Sequence, residues 1–406
     1  MSLPKDHQTL PKGPLYLPIL VNKINELDNY DHDEFDFLIK YFYGNITNNI
    51  PETNTIIYLT GDVSKYEHLN NYYVIKDFAI NYTDNMNLIN VGKVPINICN
   101  VGIFFREFFT DDNYFDKITQ EHVFQTLVES NKNGEAYRKG IYLTPCYKDE
   151  HGVNFNLLRC STNLKGPTEN FKDMDNYIVN EVMKFSKNLF PFDFNLNHVL
   201  AQVYHNTMYN NKQKKATIKA HSDKTKDMPQ DAVMAFCTFY QNYYDGKFNG
   251  LKYIKKQDKY DYFYSKNNDK KDKLSILTQL KFKLKFPEKY PELAKEFSIT
   301  CYPNSLFLIP LSTNRIYTHE VKPSALPIDK IPVRLGYVIR CSKTRAIYKD
   351  KTYIITESGE QELLKPTEED INNLKKLYLE ENITDDVIVY DNIPFSLNDG
   401  DYLEPM

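Results

Sequence analysis

The 406-residue sequence predicts an α+β fold in which a β-sandwich or jelly-roll core is backed by helices. Two segments, 119–130 and 173–190, carry apolar residues at helical spacing. Short runs rich in β-branched and aromatic residues follow: "HVLAQVYHNTM", "DAVMAFCTFY", "SITCYP", "SLFLIPL" and "VRLGYVIRCS". Turn signals such as "YPNS" separate some of them.

Taken in order, "DEFDFLIKYFY" suits a helix, and "TNTIIYLTG" and "YYVIKDFAI" suit strands. These fall in an N-terminal mixed extension, 1–102, that carries no legible chemical motif. From 103 to 345 the pattern is that of the core domain. Thr119 is placed to cap a helix over 119–130, with Val123 and Leu127, and Phe124 and Val128, as its apolar pairs. The second helix presents Ile178, Val182, Phe185 and Leu189 on one face. The stretch 245–289, rich in Lys, Asn, Asp and Tyr, reads as an insertion or long loop. A C-terminal tail, 346–406, is expected to hold one helix, "TEEDINNLKKLYLEE", capped by Thr367.

Composition narrows the function classes. Net charge is −4, so the whole chain is no simple polycation. The charge is uneven, however. Residues 211–289 hold 19 Lys against 9 acidic residues, while 346–406 hold 5 Lys against 15. The six cysteines form no CxxC, which gives zinc and redox motifs no support. No signal peptide or run of 18 apolar residues is present, so an intracellular protein, cytoplasmic or nuclear, is expected, with no membrane partner. Oligomeric state is not legible.

The chemistry centres on "KAHSDKTKDMP". A non-haem iron site needs two neutral imidazoles and a carboxylate, with other positions left open. Alternate strand residues share a side, so His221 and Asp223 can both face inward. The second imidazole is expected from a distant strand across the barrel, and His319 is the one histidine downstream. Arg334 and Arg340 follow at an even spacing in an apolar strand, on one face. A buried arginine needs an anionic partner. Another triplet, His32-Asp33-Glu34, lacks these followers.

In this order of motifs the chain resembles the AlkB-like Fe(II)/2-oxoglutarate-dependent dioxygenases. That family reads Asn-x-Tyr, His-x-Asp, His, then Arg-x-Asn-x-x-x-Arg. Here the matching residues are Gln202 and Tyr204, then His221 and Asp223, then His319, then Arg334, Gly336 and Arg340. The resemblance covers about residues 105–345. It implies a double-stranded β-helix, a cupin-like jelly roll. His221, Asp223 and His319 would hold Fe(II). Arg334 would take the distal carboxylate of 2-oxoglutarate beside Tyr204, with Arg340 and Gln202 near the other carboxylate. With O2 as the remaining co-substrate, the implied reaction hydroxylates or oxidatively demethylates a C–H bond. Gln202 stands where the family has Asn, Gly336 replaces a polar residue, and no Trp is present to stack a base.

Substrate contacts are expected from the loop 156–171, through Arg159 and Asn163, and from Thr225, which stands where the family carries an acidic residue. The lysine-rich 211–289 region, interleaved with Tyr and Phe, suits nucleic acid. A protein or small-molecule hydroxylase of the same chemistry, or a non-catalytic jelly-roll scaffold, are the alternatives the residues leave open.

Overall fold

The computed structural model describes residues 17–50, 55–66, 69–110, 113–128, 135–159, 164–255, 260–265 and 274–406. It is a mixed, sheet-rich fold with several antiparallel sheets. The largest has nine strands. Eight lie in the order Glu169–Asn170, Glu135–Thr144, His198–Tyr204, Arg334–Arg340, Val233–Tyr240, Ser305–Pro310, Gly102–Phe105 and Ile96–Ile98. Gln125–Val128 pairs with Glu135–Thr144 off that path. A smaller antiparallel sheet runs Ile218–His221, Tyr317–Lys322, Gln279–Leu284, Glu296–Thr300. The two meet through aromatic rings: Phe282 of the small sheet lies 5.7 Å from Phe307 of the large one. This arrangement is compatible with a β-sandwich.

The other face of the large sheet carries helices, as expected. Helix α1 spans His32–Tyr41, α2 Tyr114–Glu121 and α3 Asp173–Ser186. Tyr114 of α2 packs on Phe239, and Tyr337 donates a 2.7 Å hydrogen bond to Asp175 of α3. Ile178, Val182 and Phe185 are buried along α3, matching the spacing read from the sequence. The first helix departs from expectation. It runs over 114–121 rather than 119–130, capped by Asn113, which accepts from the Asp116 amide. Residues 125–128 are strand, because they pair with the neighbouring Glu135–Thr144 and β-branched and aromatic residues favour a pleated surface.

Ile19–Val21, Asn45–Thr47, Ile57–Asp62, Tyr72–Ile80 and Leu88–Ile89 form a parallel sheet of five strands covered by α1. Leu20, Phe35, Leu38 and Phe78 belong to the same core cluster as the large sheet.

Two segments are more integral than the sequence suggests. Part of 245–289 is no loop: in "QLKFKL", Leu280, Phe282 and Leu284 point inward and the lysines outward, so the run is a strand of the small sheet. The acidic C-terminal segment is likewise woven in. Thr352–Thr356 and Gly359–Glu362 extend a sheet with Gly152–Leu157 and Thr344–Tyr348. Helix α4 spans Leu311–Ile316, and α5, Glu368–Ile383, is capped by Thr367 in a reciprocal bond with Asp370. The Met406 backbone bonds to Thr168 and Asn170. Among the described residues no helix is long and apolar enough to cross a membrane, and Cys99, Cys146, Cys237, Cys301 and Cys341 are free thiols.

Candidate metal centre

His221 ends one strand of the small sheet, and its cross-strand partner is His319. The second imidazole therefore comes from the adjacent strand of the same sheet, not from across the barrel. Directly opposed residues in an antiparallel pair bring their Cβ atoms about 5 Å apart, and here the ring centroids are 4.4 Å apart. Asp223, two residues on, turns its Oδ1 to within 3.4 Å of His221 Nε2. One ligand atom from each of the three residues lies within 4.8 Å of the others.

Each group is fixed by its surroundings. The Lys219 carbonyl is bonded to His221 Nδ1 at 2.9 Å, which leaves Nε2 to face Asp223. His319 is buried against Phe236 and Phe282. Burial pushes its pKa down to about 3, so the ring is neutral. Its Nδ1 is buried with no hydrogen-bond partner. Burial would raise the Asp223 carboxyl, but Arg340 together with His221 and His319 more than reverses this and holds it well below the usual carboxylate range. Arg340 donates to Asp223 Oδ2 at 2.7 Å from Nη2 and 3.1 Å from Nε. Asn314 of α4 clamps the Asp223 backbone from both sides: its Oδ1 accepts from the amide at 2.8 Å and its Nδ2 donates to the carbonyl at 2.9 Å. Two imidazoles, the His319 ring held neutral, and one carboxylate with its own counter-charge fit a divalent transition metal.

Arg334 lies farther along the strand that bears Arg340, on the same face. It is 6 % exposed, and its Nε and Nη2 are buried without a partner. Among the described residues no carboxylate lies within ion-pair range of it. Its guanidinium lies over the Tyr204 ring, 4.0 Å from the ring centroid. Tyr204 in turn donates to Gln202 Oε1 at 3.1 Å. The glycine at 336 has a local reason. A Cβ there would lie 3.0 Å from Arg334 Nη1 and 3.2 Å from the Tyr204 ring.

Other expected residues fall elsewhere. Arg340, expected near a co-substrate carboxylate, forms an ion pair with Asp223, one of the three candidate ligands. Arg159 is not displayed to a substrate. It is buried and forks onto Asp227, with Nη2 at 2.7 Å, and donates to the Ile393 and Phe395 carbonyls. Asn163 lies outside the described residues. Thr225 gives both its amide, at 3.0 Å, and its hydroxyl to Glu381 of α5. Of the lysines in 211–226, Lys212 and Lys219 are exposed, whereas Lys224 and Lys226 are buried and bonded to Tyr378 and Asp227. Sequence reasoning missed Asn314 and Glu381, because neither has a spacing that ties it to the His-x-Asp triplet.

No protein-family model matches the chain, and no curated protein matches it in sequence. The solved structure of OsALKBH1 is similar with a TM-score of 0.34 and 9% identity, over 59% of this chain and 97% of that one. A likeness of that size assigns neither fold nor function.

Proposed function

We propose that the chain is an Fe(II)- and 2-oxoglutarate-dependent dioxygenase built on a double-stranded β-helix, AlkB-like in its motif order. It hydroxylates or oxidatively demethylates a C–H bond. The observation that carries this reading is Arg334, a buried guanidinium with unpartnered donors and no acidic partner among the described residues, on the same strand face as Arg340, which grips the ligand Asp223. A desolvated charge left unpaired costs several kcal/mol. A dianion entering the sandwich would remove that cost through two charge-assisted bonds.

His221, Asp223 and His319 would hold the metal. When bound, iron and 2-oxoglutarate supply the oxidation of a C–H bond by O2, with succinate and CO2 as co-products. The protein's own residues orient and exclude. Arg334 on Tyr204 sets the depth of the co-substrate, Arg340 and Asn314 fix Asp223, and Phe236, Phe282 and Phe307 wall off water. Anaerobic titration with Fe(II) and 2-oxoglutarate is expected to raise a visible charge-transfer band in the wild type and none in His319→Ala. A wild type without the band would reject the reading.

For the substrate, a nucleic-acid base is favoured by one surface. The hairpin of Thr207–Tyr209 and Lys212–Lys214 exposes Met208, Tyr209 and Lys212, with exposed Lys219 next along the chain. Cations beside an exposed ring suit phosphates and unstacked bases. Retention on heparin is expected to drop in Lys212→Ala/Lys219→Ala. Unchanged elution at the same salt would favour a protein or small-molecule substrate.

A further inference from the structure

The loop that carries Asp223 is held by more than its own sheet. Its backbone is bonded on both sides of the ligand to a helix more than 150 residues away. The Ser222 amide, just before Asp223, donates to Asn382 Oδ1 at 2.7 Å. The Thr225 amide, just after, donates to Glu381 Oε1 at 3.0 Å, and the Thr225 hydroxyl donates to the same oxygen. Between them, Lys224 Nζ donates to the Tyr378 carbonyl at 2.6 Å. All three partners lie in α5, within the segment whose sequence reads only as an acidic tail.

Glu381 is the hub. It is 5 % exposed, and its second oxygen accepts from the Tyr390 hydroxyl at 2.7 Å. Its backbone carbonyl accepts from Lys285 at 2.8 Å, and Lys285 follows the small-sheet strand Gln279–Leu284. One buried carboxylate thus ties the Asp223 loop and the extension that follows α5, and its carbonyl adds the segment after a third strand. A loop of this length would sample several backbone arrangements. Metal affinity depends on the ligand being preset, and loss of such supporting partners typically costs roughly 10–100-fold in affinity.

We infer that α5 is a working part of the metal centre, with Glu381 and Asn382 as positioning residues that hold the Asp223 carboxylate where the two imidazoles converge. The inference rests on the metal-binding reading of His221, Asp223 and His319. It goes beyond that reading by placing the set-point of the site in the C-terminal segment.

Co(II) serves as the probe, because it needs no co-substrate and its visible bands report coordination geometry. The full chain is titrated anaerobically, and melting curves are recorded without metal. Glu381→Ala and Asn382→Ala are expected to bind Co(II) about tenfold more weakly, with altered band intensities. Glu381→Gln, which keeps an acceptor for Thr225, should recover most of the affinity. Tyr378→Phe is the control. It removes the 2.9 Å bond from the Tyr378 hydroxyl to the Arg159 carbonyl and leaves the loop bonds in place. It should melt earlier yet bind Co(II) as the wild type does. Wild-type affinity and bands in folded Asn382→Ala and Glu381→Ala would overturn the inference. Should Glu381→Ala fail to fold, wild-type binding by Asn382→Ala alone would overturn it. A wild type that binds no Co(II) would remove the metal reading itself, and the inference with it.

Discussion

Replacing Arg334 with Met is expected to stabilise the protein in the absence of 2-oxoglutarate and to abolish its response to that ligand. The two halves have one cause. Without a ligand the protein keeps a buried guanidinium whose Nε and Nη2 have no partner. Met fills similar volume without the charge. Its loss of the stacked Tyr204 ring costs about 1 kcal/mol, against a desolvation penalty of several kcal/mol. A net gain of about 1–3 kcal/mol follows. In the wild type, 2-oxoglutarate at a hundred times its Kd should add about 2.7 kcal/mol. In Arg334→Met that increment should vanish, because a dicarboxylate held by a bidentate pair loses about 2–5 kcal/mol when the pair is truncated. Melting curves with and without 2-oxoglutarate check both halves. A variant less stable than the wild type, and still raised by the same ligand concentration, would show that Arg334 serves packing alone.

The spacing of the arginines is where the sequence was most informative. Arginines at even spacing in an apolar strand, after a His-x-Asp and a single remaining His, are few enough to be found by inspection. The structure does bring His221, Asp223 and His319 together. The strands were legible for a related reason. Runs such as "VMAFCTFY" and "SLFLIP" are buried along their length, and no helical stripe competes with them. Alternation also explains the main omission. "QLKFKL" is a regular inside–outside strand, but its lysines and its polar neighbours made it read as part of a loop.

Partners across the sheet and across the chain were not legible. Nothing local to Arg340 or Asp223 says that one grips the other, since that pairing depends on register between two sheets. Nor does a carboxylate in "YLEEN" announce that it holds the backbone of residue 225. The same limit applied to Arg159. An arginine in a polar loop looks available to a ligand until the fold brings Asp227 and the Ile393 carbonyl to it. His122 is the strongest case of all. It lies within the helix expected over 119–130 but on neither of its apolar pairs, and the shift of α2 to 114–121 makes it the buried C-cap residue.

His122 is buried between two carboxylates, with Nδ1 2.7 Å from Glu169 and Nε2 2.7 Å from Asp175. Asp175 also accepts from Tyr337, on the strand that carries both Arg334 and Arg340. The cluster therefore ties α2, α3 and the short strand at 169–170 to the back of the site. Burial alone would favour the neutral ring, but the bonds to Asp175 and Glu169 raise its pKa to about 9. The unfolded chain has an ordinary histidine near 6.5. The folded value is the higher one, so the folded state holds the extra proton. The stabilisation is complete below about pH 6.5 and is lost as pH rises through 9. At 1.36 kcal/mol per unit this amounts to roughly 3 kcal/mol. Denaturant midpoints are expected to fall between pH 6.5 and 9 in the wild type and to stay flat in His122→Gln. His122→Ala leaves Glu169 and Asp175 buried together without the cation, a loss of about 3–5 kcal/mol. A wild type equally stable at pH 6.5 and 9 would show that the ring is neutral, and that the cluster is held by ordinary hydrogen bonds rather than by charge.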